Sequence, residues 1–479
     1  TGSTFTLSNG NLNTSISTVN GLCRASHAIT SGKWYWEVTP SQATAYMVIG
    51  IATSACTGWT SNGFWGYAGG GQLQDDDDWI TGYGASYGTD VIGVALNMDD
   101  GELTFYKAGS SQGVAVNSGL TGKEVWPAIA QSNASALAAS ANFGQQGFSH
   151  TPPTGFKSLC SADLPTPTIK NGKKYFNTVL YEGGTSKLTS PSLGFQPDLT
   201  WIKNRDDSDD HVIQDSTRGD FVLYPNTQAA EGATGGGWIV EIADGFTADV
   251  NGPINTNGES FVAWCWKEDA TAGISFITYN GDEDDTISHG LGTFPTFIII
   301  KSRDSTNDWM IWHHSVIDAD NKVLNWNNGD GVSTSSSNTF LKSSGGDSYN
   351  VGSSTFTLGS SAIVQDGSSN DYVGYCFADV EGFSKAGTYK GNEDPNGPFV
   401  YTGFRPAWIF LKHSSSSEQW YIYDNKRNTG NPLNLELNTS TNQDDGTFIG
   451  LDFLANGFKI RNDNSGLNTL DNIYIYLAF

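Results

Sequence analysis

Apolar and polar positions alternate along most of this chain in short runs separated by turn signals, and one run is written three times. "GFQPDLTWIK" occupies Gly194 to Lys203, "GTFPTFIIIK" Gly292 to Lys301 and "GFRPAWIFLK" Gly403 to Lys412. The Gly-x-x-Pro opening supplies a turn and a strand start where the missing proline N–H costs nothing, and the apolar run behind it predicts a strand buried on both faces. The terminal lysine is expected to bring that strand out to water. Ahead of each copy lies a strand ending Tyr-x-Gly (Tyr181 to Gly183, Tyr279 to Gly281, Tyr389 to Gly391), and each copy closes on an aromatic alternating strand, "FVAWCW", "YVGYCF" or "IYIYLAF". Such a period is read before its parts. It predicts three related small antiparallel β-sandwich repeats, tandem or mutually packed, over residues 175–270, 271–381 and 382–479.

The first 148 residues predict a separate β-sandwich. In "GKWYWEVTP", Trp34, Trp36 and Val38 fall on one face and Tyr35 and Glu37 on the other. "YMVIGIAT", "DVIGVALNMDDGELTFYKAG" and "VWPAIA" are further strands, and Asp100-Gly101 marks a hairpin between Val94 to Leu96 and Leu103 to Tyr106. Residues 149–174 hold Pro152, Pro153, Pro165 and Pro167 and are expected to form a stiff linker. The fold class is therefore all-β throughout, in keeping with 57 glycines and few long charged side chains.

Charge narrows the partners. Lys plus Arg number 25 against 50 Asp plus Glu, a formal charge of −25, so a nucleic-acid backbone is expected to be repelled. No apolar run approaches the roughly 20 residues that cross a bilayer, so membrane insertion is not expected; the opening "TGSTFTLSNG" carries no secretory pattern. Five cysteines without close pairs fit synthesis in a reducing cytoplasm, with Cys265 and Cys376 as small buried thiols in matching strands.

The order "GKWYWEV", "IGIA", "DVIGVALNMDDGELTFYKAG", "WPAIA" and "ANFGQ" resembles the SPRY domain, a bent antiparallel β-sandwich whose inter-strand loops carry recognition. The whole chain, from "PPTGFKSL" through "VAWCWKE", "DVEGFSKAGTYKGN" and "FVYTGFRPAW", is similar to a group of structural proteins of tailed bacteriophages. That resemblance implies a virion protein made in the host cytoplasm, with other virion proteins as partners and homo-oligomers expected.

Chemistry is sparse. The acidic runs Asp75 to Asp78, Asp206 to Asp210 and Asp282 to Asp285 offer hard oxygen ligands, so Ca²⁺ is the one ion they could hold, but none has the spaced pattern of a calcium loop and solvated loops are the simpler reading. His313-His314 is read as structural, since strand neighbours face opposite ways. Twelve and fifteen residues after the repeat lysine stand Asp215 and Arg218, and again Asp424 and Arg427, where the second repeat has His313 and Val316; the charged pairs are expected to close a turn. No catalytic residue is assigned. The best ligand candidates are Trp59, Trp65, Tyr67, Trp79, Tyr83 and Tyr87, in a Gly-rich stretch expected to form loops where flat rings beside Asp and Asn suit a sugar. The function expected is a non-enzymatic tail- or head-fibre protein contacting a host-surface glycan or protein. A decoration or spacer protein without host ligand is the alternative, and a polysaccharide depolymerase a third.

Overall fold

A computed structural model describes residues 5–479 apart from 10–11, 26–28, 30–31, 54–55, 77, 122, 124, 134–135, 161–166, 236, 251, 282–285, 318–321, 335–350, 360 and 368–369. The chain divides into two compact units, residues 1–164 with 399–401, and residues 165–398 with 402–479. Both are built almost wholly of strands.

In the first unit, one sheet runs in the order Phe5–Ser8, Asn13–Ile16, Leu137–Asn142, Lys33–Pro40, Ile92–Asn97, Glu102–Lys107 and Ser110–Val116. The other runs Leu22–Arg24, Trp126–Gln131, Met47–Ala52, Phe64–Ala68, Leu73–Asp75 and Asp78–Ile80. Alternation decides what lies between them. Trp34, Trp36 and Val38 enter the common core with Ile49, Ile51, Val94, Leu96 and Phe105. Glu37, on the opposite side, accepts from Tyr35 Oη and from the backbone N–H groups of Ser149 and His150. Those last two contacts, with Lys157–Ser158 pairing in parallel beside Trp34 and Tyr35, fold part of the proline-rich segment back onto the first unit. Glu102 stands opposite Asn97, and Gly101 has φ +74° in the hairpin read from Asp-Gly.

The second unit contains the same four-stranded order three times. A first strand pairs with the closing strand, the closing strand with the core strand, and the core strand with a return strand. In the first repeat these are Phe176–Glu182, Ser260–Trp266, Leu199–Asn204 and Val212–Asp215. The second has Ile274–Asn280, Asp371–Phe377, Phe297–Ser302 and Met310–His313. The third has Lys385–Lys390, Ile473–Ala478, Trp408–His413 and Trp420–Asp424. Every residue of the three core strands is buried. Gly194, Gly292 and Gly403 precede them with φ of +86°, +68° and +87°, a turn conformation that a side chain would strain.

Each Tyr-x-Gly tyrosine has the same work. Tyr181, Tyr279 and Tyr389 donate to the carbonyls of Ile254, Val364 and Leu467, and each stacks on an aromatic of its closing strand, Phe261, Tyr372 or Tyr474, at 4.9–5.2 Å. The glycine lies where backbone crowds in: a Cβ on Gly183 would stand 2.0 Å from the carbonyl oxygen of Thr256.

The repeat lysines correct the expectation that they lead to water. Lys203, Lys301 and Lys412 are wholly buried. Each ammonium donates to the carbonyl of the next residue and to the carbonyl four positions on, at 2.5–2.9 Å (Asn204 and Asp207, Ser302 and Ser305, His413 and Ser416). The lysine thus holds its own following turn closed. Burial lowers all three, to about 8, 8 and 7.

One core joins the three repeats. Trp201 of the first meets Trp326 of the second at 4.9 Å, Trp326 meets Phe410 of the third at 5.5 Å, and Phe410 meets Trp201 at 6.2 Å. The three rings meet edge to face, at interplanar angles of 61–84°, the arrangement that aromatic pairs prefer.

Candidate functional site

The Gly-rich stretch expected to form loops is turns and irregular segments interrupted by three short strands. Phe64–Ala68 and Leu73–Asp75 are strands, and alternation sends Trp65 and Tyr67 inward beside Tyr87, all three within the sandwich core. Tyr67 Oη donates to the Ala85 carbonyl, Tyr87 Oη to that of Met47 at 2.7 Å, and half-buried Tyr83 to that of Gly113 at 2.6 Å. Burial pushes Tyr67 up to about 12. Trp65 and Tyr67 thus lie on a strand and face the core, which corrects their reading as loop residues, while Tyr83 and Tyr87 lie in the segment between Ile80 and Ile92 with their hydroxyls bonded to backbone carbonyls.

Trp59 and Trp79 differ. Asp75 to Asp78 is a tight hairpin, with Asp75 opposite Asp78 and Asp76 at φ +58°; Asp77 lies outside the described residues. Asp76 accepts from the Gly63 N–H, and its carbonyl from Gln74 Nε2, so this acidic run is turn chemistry that pins the hairpin. Asp78–Ile80 is the last strand of its sheet. In it Trp79 stands opposite Gln74, on the face away from the core, and is 43% exposed. Trp59 meets it edge to face, with centroids 5.1 Å apart and planes at 67°. Half-buried itself, Trp59 packs on an outer cluster of Val48, Ala52, Phe64, Ala68, Ala128 and Ala130, and its indole donates to Asn20 Oδ1 at 2.7 Å. Exposed Thr57 shares a hydrogen bond with Ser61 beside it.

The arrangement therefore offers one fixed ring, one exposed ring at an angle, and hydroxyl and amide groups at their rim. Chemically it can stack a flat apolar face and hydrogen-bond its edge. Asn20 was not among the expected site residues; it lies 39 residues before Trp59, and only the fold brings the two together.

Of the other acidic runs, Asp206 to Asp210 is engaged in structure. Asp206 accepts from Ser260 N, Asp209 from Asn204 Nδ2 and Asp210 from Asn226 Nδ2, while Asp282 to Asp285 lie outside the described residues. Among the described residues no three His, Cys, Asp or Glu side chains converge as a metal site, and no helix is long and apolar enough to cross a membrane. Cys265 and Cys376 are buried thiols, raised by desolvation.

Comparison with known proteins fits the two units. The family described as domain of unknown function DUF7483 matches residues 171–479, the greater part of the chain. The chain belongs to the DUF7483 family. Ahead of that region, the SPRY domain family matches residues 33–146, so this DUF7483 protein carries an N-terminal SPRY domain. Among solved structures, the SPRY domain of human HERC1 is 17% identical, covering 29% of this chain and 91% of its own, with a TM-score of 0.26. A human SPRY domain is 18% identical, covering 29% of this chain and 97% of its own, with a TM-score of 0.25. A curated relative, the ATP-dependent RNA helicase Ddx1 of Drosophila melanogaster, is 31% identical over 147 residues, and the match spans 29% of this chain and only 19% of the helicase.

Proposed function

We propose that this chain is a non-enzymatic recognition protein of a virion appendage, a tail or head fibre, in which the SPRY domain contacts a glycan on the host surface. The observation that carries the reading is the Trp59–Trp79 pair. A large indole left 43% exposed on a short edge strand, braced by a second indole that is itself held by Asn20, is a costly surface feature for a side chain with only structural work. The acidic, stiff scaffold suits many weak contacts acting together, and a homo-oligomer among other virion proteins would multiply them. Purified wild-type and Trp79→Ala chains are compared for binding to host cells and to immobilised host polysaccharide. Loss of binding with an unchanged melting temperature supports the reading, and equal binding removes it.

A second reading, a decoration or spacer protein, draws on the second unit: each repeated residue there serves the fold, as a rigid spacer requires. Cryo-microscopy of the intact particle separates the two by position, since a spacer is covered on the Trp79 edge and a receptor-binding fibre displays it.

A further inference from the structure

The three repeats meet in a cyclic order, and their three joints are built from equivalent positions. The backbone N–H of Glu231 in the first repeat donates to the Arg303 carbonyl in the second. That of Val332 in the second donates to Ser414 in the third, and that of Asp445 in the third donates to Arg205 in the first. Arg303 and Ser414 both stand two residues beyond a repeat lysine, as does Arg205.

At two joints the surrounding side chains are charged and closed on one another. Asp215 binds Arg218 at 2.7 Å and accepts from Tyr375 of the second repeat, while Glu231 receives Arg303 at 2.8 Å. Likewise Asp424 binds Arg427 at 2.6 Å and accepts from Trp264 of the first repeat, while Asp445 receives both Arg427 and Arg205 at 2.7 Å. The joint between the second and third repeats has lost all of this. His313 stands for the aspartate, Val316 for the arginine, Val332 for the bridging acid and Ser414 for its partner.

His313 is fully buried at that joint, where the described residues form no ion pair like those of Asp215 with Arg218 and Asp424 with Arg427. Its Nδ1 accepts the Ser315 N–H at 3.1 Å, which leaves the neutral ring's proton on Nε2, and Nε2 completes no hydrogen bond although the ring lies against the backbone of Gly387 and Tyr476 in the third repeat. A second proton must go to Nδ1, where it meets the Ser315 N–H. The backbone of Gly387 and Tyr476 favours a charged ring, but burial and His314 outweigh it. On its own turn, His314 stacks at 5.1 Å and would add like charge. The core strand contributes Phe297, edge-on at 5.8 Å, and the closing strand of the third repeat contributes Tyr476. Lys385 on the first strand of the third repeat and Asp379 just before it both act on His314, and Asp379 is already held by Thr296 Oγ1 and the Ala386 N–H.

We propose that the joint between the second and third repeats is a proton-operated opening point, with His313 as its sensor and the two charged joints as the parts that stay shut. Burial and the adjoining His314 hold the imidazole down at about 3. An unfolded histidine titrates near 6.5, so between these values the opened chain binds more protons than the closed one, and closure weakens as pH falls through that window. By pH 4 His313 alone shifts the closed-to-open ratio against closure on the order of a hundredfold relative to pH 7.

The test uses the full chain as wild type, as His313→Gln, and as the double swap His313→Asp with Val316→Arg, which supplies the Asp–Arg pair found at the other joints. Thermal melting at pH 7, 5 and 4 is paired with hydrogen exchange at pH 4, scaled for intrinsic rates. The expected result is a fall in melting temperature on acidification that is larger in wild type than in either variant. In wild type, acid-enhanced exchange should concentrate in Met310–His313 and Lys385–Lys390 and spare Val212–Asp215 and Trp420–Asp424. Equal acid sensitivity in wild type and whichever variants fold overturns the proposal, as does exchange raised equally at all three joints.

Discussion

In the SPRY domain, Trp59 and Trp79 meet at the rim of a sheet with one ring exposed, whereas in the triplicated unit Trp201, Trp326 and Phe410 close on one another from three repeats with nothing left to water. The residue type is the same and the outcome is opposite, because the neighbours differ. Trp79 sits on a three-residue edge strand that no further strand covers among the described residues, while Trp201 sits in a core strand flanked on both sides and faced by two other repeats. Aromatic content alone therefore says little about binding. What counts is whether a ring's strand has a neighbour and whether its N–H or O–H is already engaged.

The sharpest break of that comparison comes from the buried charges of the scaffold. Arg427→Ala removes the ion-pair partner of fully buried Asp424 and one of the two arginines on Asp445, and should cost about 3–5 kcal/mol in chemical denaturation, because an uncompensated buried charge is worse than none. A loss below about 1 kcal/mol would mean that the second unit is not the rigid member of the pair.

Next in size is Lys412→Met, which leaves the carbonyls of His413 and Ser416 without their donor, for an expected loss of about 1–3 kcal/mol at pH 7. The lysines also set a pH dependence. Folded values of about 8, 8 and 7 lie below the unfolded value near 10.4, so the unfolded chain holds more protons between them and stability rises with pH across that window. A Lys203, Lys301 and Lys412 triple methionine variant should lose this rise between pH 7 and 10; an unchanged slope would contradict the burial of the three ammonium groups.

Smaller again is Tyr389→Phe, which keeps the stack on Tyr474 and removes only the hydrogen bond to Leu467, for about 1 kcal/mol. Tyr181→Phe and Tyr279→Phe should match it within a few tenths of a kcal/mol if the three repeats are equivalent at this position.

Much of the scaffold was legible in the chain. The thrice-written decapeptide announced its strand through Gly, Pro and an unbroken apolar run, and Asp100-Gly101 announced its hairpin, because each signal acts on its own neighbours. The Asp–Arg offset of three residues was readable for the same reason. The lysines misled, since a charge at a strand end ordinarily meets water and nothing in sequence shows that two carbonyls of the following turn wait for it. Trp65 and Tyr67 were hidden by Gly66 and Ala68, whose small side chains blur the alternation that sends the large ones inward. Contacts such as Trp264 with Asp424, 160 residues apart, arise only when the repeats close on each other.

The smallest stability effect belongs to Trp79→Ala, where removal of an exposed ring should leave unfolding within about 0.5 kcal/mol of wild type. That variant also tests the central claim most directly, through its binding to immobilised host polysaccharide measured beside wild type. The account predicts at least about a tenfold loss of affinity with the fold intact, in line with the roughly 1.4 kcal/mol that a tenfold change represents. Binding equal to wild type would contradict it.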